Sequence, residues 1–216
     1  MAFADSVASY PERGPYGRAE FRGNTSGYLI KDLIETYHPT FVYDPMHGSG
    51  TTGDVCKHLQ IPYFATDIRN GDDVTLDAVR RKVRAALPAD GVDLIFWHPP
   101  YWNMIGYCDD FNDLSQAPTY TSFLARCEGI LRWLGTLLSE HGRIALLLAD
   151  LRRRKSTKTY FLTDDITRED RLARCALEKE FRIIKVQHNT KSSGDVGLEI
   201  PLVHEYLTIM CRRSDD

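Results

Sequence analysis

Short apolar runs alternate with amphipathic segments along most of this chain, and this alternation limits the folds open to it. The apolar runs, which we predict to be strands, lie at residues 40–44, 63–68, 91–97, 142–150, 182–189 and 204–213. The segments with helical spacing, which we predict to be helices, lie at residues 25–38, 52–60, 76–87, 119–140 and 167–181. Strands that alternate with helices predict an α/β fold with a mostly parallel sheet and helices on both faces. No helix separates the last two strands, so we expect them to pair antiparallel.

The composition is that of an ordinary globular protein. The length of 216 residues suits one domain, and hydrophobic residues make up 43% of it. A formal net charge of -3 excludes a chain that coats nucleic acid through overall basic charge, so any such contact must come from a local patch. The five cysteines lack C-x-x-C spacing, so we expect neither a metal site nor a disulfide framework.

The organisation along the chain predicts one domain preceded by an arm. Residues 1–23 are rich in Gly, Pro and Arg and are expected to form an arm or loop, whereas residues 24–213 are expected to form a single domain. The first residues lack the basic and apolar regions of a signal peptide. No apolar run reaches the length of a membrane span. We therefore expect a cytoplasmic protein without a membrane partner.

Polar and glycine-rich residues follow the first two predicted strands. The stretch DPMHGSGTTG, residues 44–53, has glycines that permit a tight turn and close approach of a ligand, although such a stretch can also be a plain turn. The helix after it would direct free N–H groups at that ligand. Asp67 ends the second strand about 20 residues later, where an acid binds ribose hydroxyls in nucleoside-binding sheets. Asp72 or Asp73 follows, placed to meet an adenine edge.

The third predicted strand ends in LIFWHPPYWNMI, residues 94–105. Neither Pro99 nor Pro100 can donate a hydrogen bond to a neighbouring strand, so the strand must end there and the chain must turn outward. This predicts a rigid tip beside His98 that carries Tyr101 and Trp102, whose flat rings are good stacking surfaces for a planar base. A Pro-Pro pair alone often marks only a turn.

Taken together and in this order, the three motifs resemble those of the S-adenosylmethionine-dependent DNA amino-methyltransferases, which modify the exocyclic nitrogen of adenine or cytosine. The stretch DPMHGSGTT resembles that family's cofactor loop DPFxGSGTT, and HPPYW resembles its catalytic motif [DNS]PP[YFW]. Residues 21–37 resemble the segment that lines the methionine end of the cofactor, and residues 200–213 resemble the closing strand. The resemblance spans residues 21–212. It implies a Rossmann-like class I methyltransferase sheet with an antiparallel C-terminal hairpin strand.

The same resemblance implies S-adenosylmethionine as the cofactor and assigns residues to it. The residues implied to surround its methionine and ribose are Asp44, His47, Gly48, Ser49 and Gly50. Asn24 and Thr25 are expected to hold its carboxylate. Asp67 is expected to take the ribose hydroxyls, and Asp72 the adenine amine.

The resemblance also places a catalytic corner at His98, Pro99, Pro100 and Tyr101. Two acceptors on the N–H groups of an aromatic amine favour a more nucleophilic nitrogen, so the enzyme's task is mainly alignment and polarisation. The family has Asp, Asn or Ser where this chain has His98. A neutral imidazole has one acceptor nitrogen and an imidazolium has none, so we expect activity to fall on the acid side.

The implied partner is DNA, single- or double-stranded, bound by a monomer or homodimer. The candidate nucleic-acid contacts are Trp102 and the basic stretch Arg152, Arg153, Arg154 and Lys155. No separate target-recognition domain is apparent within residues 24–213, which we expect to be one methyltransferase domain. Two alternatives remain open: an RNA or protein-glutamine N-methyltransferase, because related catalytic tips occur there, and a cofactor-binding regulator that has lost its chemistry at His98.

Overall fold

The computed structural model describes residues 3, 5–152, 159–186 and 204–214, with the backbone alone for residues 152 and 186. The strands are β1 (Val7–Ser9), β2 (Val42–Asp44), β3 (Tyr63–Ala65), β4 (Val92–Trp97), β5 (Leu138–Leu148), β6 (Leu151–Arg152), β7 (Thr159–Tyr160), β8 (Leu177–Val186) and β9 (His204–Arg212). The helices are α1 (Gly27–Tyr37), α2 (Thr51–Leu59), α3 (Asp77–Ala86), α4 (Tyr120–Gly135), α5 (Leu162–Ile166) and α6 (Glu169–Arg174).

Seven of these strands form one sheet in the order β1-β8-β9-β5-β4-β2-β3. Strands β2, β3, β4 and β5 pair in parallel, while β9 lies antiparallel to both β5 and β8. Strands β6 and β7 form a separate two-stranded ribbon. The predicted mostly parallel sheet with an antiparallel strand near its C-terminal end is therefore confirmed.

Helices cover both faces of the sheet, as the side chains of β4 show. Ile95 and Trp97 point to one face, where they join the core cluster that contains residues of α3 and α4. Leu94 and Phe96 point to the other face, where they join the cluster that contains residues of α1 and α2. A strand that is buried on both faces is typical of a parallel sheet between two helical layers.

The N-terminal arm differs from the prediction of an arm or loop without regular structure. Residues 7–9 form β1, which pairs in parallel with the end of β8, with Val7 opposite Ile184. The Ile184 N–H also donates to the Ser6 carbonyl at 2.7 Å. The arm therefore covers one edge of the sheet, and its pairing partner lies far away in the sequence.

The helix predicted over residues 167–181 is also shorter than expected. It ends at Arg174, and Ala176 adopts a left-handed φ of 55°, which no helix continues through. Residues 177–181, for which the sequence predicts helix, instead begin β8 and pair with the end of β9. The tertiary partner overrides the local helical preference of this segment.

The carboxyl ends of the parallel strands lie at one edge of the sheet. Asp44 ends β2, Asp67 lies two residues beyond β3, and His98 directly follows β4. This edge is where ligands bind in open α/β sheets. In the part of the chain that the structure describes, no helix is long and apolar enough to cross a membrane.

Candidate active site

A cavity of about 440 Å³ opens at this edge of the sheet. It brings together the predicted catalytic and cofactor-binding residues other than Gly50, and these are Asn24, Thr25, Asp44, His47, Gly48, Ser49, Asp67, Asp72, His98, Pro99, Pro100 and Tyr101. Three segments that the sequence did not connect also line it, namely Met104, Ile105 and Tyr107, residues 149–151, and the facing ends of β8 and β9.

The glycine loop is held in a turn that presents the start of α2 to the cavity. Gly48 and Gly50 have φ angles of 54° and 89°, which favour glycine. Gly50 is the residue that caps α2. The Met46 N–H donates to Asp44 Oδ1 at 3.0 Å, and the Gly48 N–H donates to Asp67 Oδ2 at 2.9 Å. The loop is therefore fastened to both neighbouring strand ends.

Asp44 is an unusual carboxyl because it is only 3% exposed. Burial raises its pKa to about 6, and a hydrogen bond from Thr52 offsets only part of that rise. The carboxylate lies where the resemblance expects the charged methionine end of the cofactor. A cation that binds beside it would stabilise the charged form.

Asp67 forms a hydrogen-bonded ion pair with Arg69, which the sequence did not suggest. Arg69 Nε and Nη2 donate to Asp67 Oδ1 and Oδ2 at 2.7 and 2.9 Å, and Nη2 also donates to the Gly48 carbonyl at 2.8 Å. Although burial acts to raise it, these hydrogen bonds hold the pKa of Asp67 below its ordinary value. Asp67 is therefore a charged carboxylate that organises the glycine loop. A ribose hydroxyl that binds Asp67 would share the carboxylate oxygens of Asp67 with Arg69.

The two adjacent aspartates after β3 differ in their surroundings. Asp72 Oδ1 lies 2.5 Å from Lys82 Nζ. Asp73 is 5% exposed, and its Oδ1 accepts from the Thr75 N–H at 2.8 Å and from Thr75 Oγ1 at 2.7 Å. Asp73 Oδ2 is buried and has no hydrogen-bond partner among the described residues. The open acceptor in this part of the cavity therefore belongs to Asp73, whereas the resemblance had pointed to Asp72.

Asn24 and Thr25 likewise play different parts. Asn24 Oδ1 accepts from Ser49 Oγ at 2.9 Å and from Thr51 Oγ1, and its Nδ2 donates to the Arg18 carbonyl at 3.1 Å. Asn24 therefore ties the arm to the glycine loop. Thr25 Oγ1 is buried without a partner in the described part of the chain, so its hydroxyl remains open to a ligand.

Aromatic side chains close one wall of the cavity. Phe21 stacks on Tyr107 with ring centroids 5.9 Å apart, and the Arg69 guanidinium lies 4.6 Å from the Phe21 ring centroid. The wall therefore joins the arm, the loop after β4 and the Asp67–Arg69 pair. Phe21 begins the segment 21–37 that the resemblance places beside the cofactor, whereas no sequence pattern signalled Tyr107, because the contact depends on how two distant loops meet.

The catalytic corner forms a connected cluster with β9. Tyr101 donates its hydroxyl proton to Glu205 Oε1 at 2.7 Å and accepts from the Ala149 N–H at 2.9 Å. His98 Nε2 lies 3.4 Å from the Tyr101 hydroxyl oxygen and 3.5 Å from Glu205 Oε1. The other oxygen of Glu205, Oε2, lies 2.6 Å from Lys185 Nζ. Neither Glu205 nor Lys185 was predicted as a site residue, and the trace that each leaves in the sequence is a charge inside a strand with apolar neighbours.

The position of Trp102 differs from the prediction of an exposed stacking ring. Trp102 is 7% exposed, its Nε1 donates to the Ala117 carbonyl at 2.9 Å, and its ring packs on Tyr120 and Tyr160. The left-handed φ of 51° at Asn103 turns the chain back and places the indole in the core. In this conformation Trp102 is a core residue rather than a nucleic-acid contact.

The basic stretch is described only at its first residue. Arg153, Arg154 and Lys155 lie outside the described residues, and only the backbone of Arg152 is described, in β6. Their contact with nucleic acid stays a prediction.

Comparison with known proteins finds fold-level likeness only. No family model matches the sequence, and no curated protein matches it. A protein of Thermus thermophilus, provisionally described as a DNA modification methylase and solved with S-adenosyl-L-methionine, is 23% identical over 63% of this chain and 54% of its own, with a TM-score of 0.45. This chain thus spans about half the length of that protein.

Two further structures cover more of the chain. TrmN from Thermus thermophilus is 17% identical over 88% of this chain and 50% of its own, with a TM-score of 0.48. The glycopeptide N-methyltransferase MtfA, solved with S-adenosyl-L-methionine, is 12% identical over 97% of this chain and 93% of its own, with a TM-score of 0.48. Likeness of this degree assigns neither substrate nor activity.

Proposed function

We propose that this chain is an S-adenosylmethionine-dependent methyltransferase that modifies an exocyclic amino group of DNA, N6 of adenine or N4 of cytosine. The observation that carries this proposal is that one cavity joins the glycine loop to the His98–Pro99–Pro100–Tyr101 corner. The glycine loop is suited to a nucleoside cofactor, and the corner offers hydrogen-bond acceptors and a flat ring to an aromatic amine.

The residues present fit the cofactor. Two buried oxygens, Thr25 Oγ1 and Asp73 Oδ2, have no partner among the described residues, and both side chains line the cavity. Buried polar atoms without partners are uncommon and call for an explanation, which here is a polar ligand. Asp73 would accept from the adenine amine, Thr25 would bind the carboxylate, and Asp44 would face the ammonium group. The bound cofactor would supply a methyl group already activated by its sulfonium.

The chain's own contribution is alignment and polarisation of the target amine. The Pro99 carbonyl and a lone pair of His98 accept from its two N–H groups, which directs the nitrogen lone pair toward the methyl group. The Tyr101 ring, whose hydroxyl is fixed by Glu205 and Ala149, stacks on the base. Methyl transfer would form a nitrogen–carbon bond as the sulfur–carbon bond of the cofactor breaks, and the amine would lose one proton to solvent.

DNA is favoured over other substrates by the motif order and by the basic stretch at residues 152–155. A decisive experiment supplies tritiated methyl-S-adenosylmethionine with double-stranded DNA, single-stranded DNA and RNA, and identifies the labelled nucleoside by chromatography and mass spectrometry. We expect N6-methyladenine or N4-methylcytosine in DNA. Label found only in RNA or on protein glutamine would show that the substrate is not DNA. Cofactor binding without methyl transfer to any acceptor would favour the alternative of a cofactor-binding regulator.

His98 has a matched control in His141, an exposed residue near the amino end of β5. His98→Ala should lower methyl transfer roughly 100-fold or more, the scale of one well-placed polar group in a transition state. His98→Asn should keep measurable activity, because its amide oxygen restores an acceptor. His141→Ala should match the wild type. If His98→Ala were as active as the wild type, His98 would have no part in the reaction.

A further inference from the structure

A buried charge pair lies directly behind the catalytic corner. Lys185 on β8 and Glu205 on β9 are opposite each other in the antiparallel ladder, and their side chains are 2% and 21% exposed. A buried ion pair is often no more stabilising than apolar residues of the same volume, because both charges must be desolvated. Its presence at the wall of the cavity therefore suggests a role in the site rather than in stability.

Lys185 fixes the charge state of Glu205. Burial alone would raise the pKa of Glu205, but the Lys185 ammonium, 2.6 Å away, and the neighbouring His98 together hold that pKa well below its usual range. Glu205 is therefore a carboxylate, which can accept hydrogen bonds and donate none.

The Tyr101 hydroxyl is also unable to donate to His98. It has a single proton, which goes to Glu205 Oε1 at 2.7 Å. The Tyr101 oxygen then has only lone pairs left, and one of them accepts from the Ala149 N–H. Among the described residues, two polar atoms lie close to His98 Nε2, the Tyr101 oxygen and Glu205 Oε1, and both therefore present only acceptors to it.

We propose that Glu205 is a positioning residue that, with Tyr101 and Lys185, keeps the ring proton of neutral His98 on Nε2 and leaves Nδ1 as the hydrogen-bond acceptor of the site. An imidazole nitrogen that faces only acceptors must carry the proton, and the other nitrogen then keeps the lone pair. Asp44, at the end of β2, also interacts electrostatically with His98.

The proposal rests on the proposed function in one respect, namely that Nδ1 receives an N–H group of the target amine. The tautomer itself can be measured without methyl transfer, by ¹⁵N chemical shifts and long-range proton correlations of the imidazole rings. The chain has seven histidines, and the His98 signals are those that disappear in His98→Asn. In the wild type, at a pH where the ring is neutral, we expect a protonated Nε2 and an unprotonated Nδ1.

Glu205→Gln tests the cause of this tautomer. The Gln amide can donate to Nε2, so the population with the proton on Nδ1 should rise, and methyl transfer should fall roughly 100-fold, within the range of a misplaced catalytic proton. The change should lie in kcat, while KM for DNA and cofactor affinity stay close to the wild type. Glu140→Gln, an exposed control near the amino end of β5, should change neither measurement.

The outcomes separate this inference from the proposed function. A wild-type His98 with its proton on Nδ1 would overturn the inference, as would an unchanged tautomer in folded Glu205→Gln. If Glu205→Gln failed to fold, the wild-type tautomer would decide on its own. The expected tautomer together with no methyl transfer to any acceptor would support the positioning by Glu205 and would count against the proposed function alone.

Discussion

Two adjacent aspartates can have different roles when only one of them forms an ion pair. Asp72 lies beside Lys82 near the surface, while Asp73 uses one oxygen for Thr75 and keeps the other open and buried. An Asn at position 73 could not reproduce this. Its single oxygen would have to choose between Thr75 and the cavity, and its NH₂ group would face a donor in either orientation.

Asp73→Asn should therefore weaken S-adenosylmethionine binding by about 1–3 kcal/mol, the cost of an unpaired buried donor. Asp72→Asn should stay within about twofold of the wild type, because it changes a partly exposed ion pair. Isothermal calorimetry on both variants distinguishes them. If Asp72→Asn weakened cofactor binding more than Asp73→Asn did, Asp72 would be the residue that contacts the adenine.

Asp44 makes the stability of the protein depend on pH. Its pKa is raised to about 6 in the folded state by burial. Between about pH 4 and pH 6 the folded state therefore binds more protons at this residue than the unfolded state does. The contribution of Asp44 is thus most favourable at low pH and declines as pH rises through 6.

Asp44→Asn should remove this decline. Without cofactor, we expect the free energy of unfolding of the variant at neutral pH to rise by about 1–3 kcal/mol relative to the wild type, with a smaller gain below pH 4. Urea unfolding across the pH range measures both. A variant that is equally destabilised at every pH would show that Asp44 is needed as a carboxylate for packing.

At the scale of elements, the arm and the glycine loop act as one unit. Asn24 binds Ser49 and Thr51, and a Cβ on Gly48 would lie 3.0 Å from the Phe21 ring. The arm and the glycine loop therefore pack directly against each other. Gly71 also has a positive φ, of 82°, but a Cβ there would meet nothing within 4 Å.

These two glycines make a matched pair. Gly48→Ala and Gly71→Ala should each cost roughly 1–2 kcal/mol of stability through backbone strain. Gly48→Ala alone should also displace the Phe21 wall, and so it should weaken cofactor binding at least tenfold more than Gly71→Ala. Thermal unfolding and calorimetry on both variants give the comparison. Equal cofactor affinities would mean that the arm does not shape the site.

How far the sequence predicts each element depends on how local its causes are. Helix α1 is predictable because its apolar spacing and its Ser26 cap lie within one segment. Strand β1 is not, since three residues acquire their structure only from β8, across the sheet. In the same way the first half of β8 has helical propensity, and its pairing with β9 decides otherwise.

The candidate site follows the same rule. The glycine loop, Asp67 and His98 lie at strand ends and could be predicted from motifs within single segments. Other residues enter the site through contacts between segments and could not be assigned in advance; these are Glu205, Lys185, Arg69 and Tyr107. The prediction for Trp102 was wrong for the same reason. Its burial depends on Tyr120 and Tyr160, which lie on other elements.

At the scale of the whole molecule, the net charge of -3 would oppose the proposed binding to DNA, which therefore requires a local basic patch. We expect that neutralising Arg152, Arg153, Arg154 and Lys155 weakens DNA binding equally for all sequences. It should also flatten the dependence of log affinity on log salt by about 0.9 for each phosphate that the variant no longer neutralises.

The control for this experiment neutralises exposed cations on the helices. Lys57 and Arg81 lie on α2 and α3, and their replacement by Ala changes the net charge without touching the basic stretch. Fluorescence anisotropy at several salt concentrations measures both sets. Equal slopes of log affinity against log salt in the two sets of variants would show that the basic stretch does not contact DNA.

The position of β9 between β5 and β8 governs the order in which the molecule can assemble. Strands β2 to β5 pair among themselves through segments that follow one another in the sequence, so the half of the cavity around the glycine loop can form early. In the described sheet β8 joins β5 only through β9, and Glu205 reaches Tyr101, 104 positions away in the sequence, only when β9 docks on β5. Pairing between distant segments is slow. A nascent or refolding chain can therefore form the proposed cofactor half of the cavity before the cluster of His98, Tyr101 and Glu205 is complete.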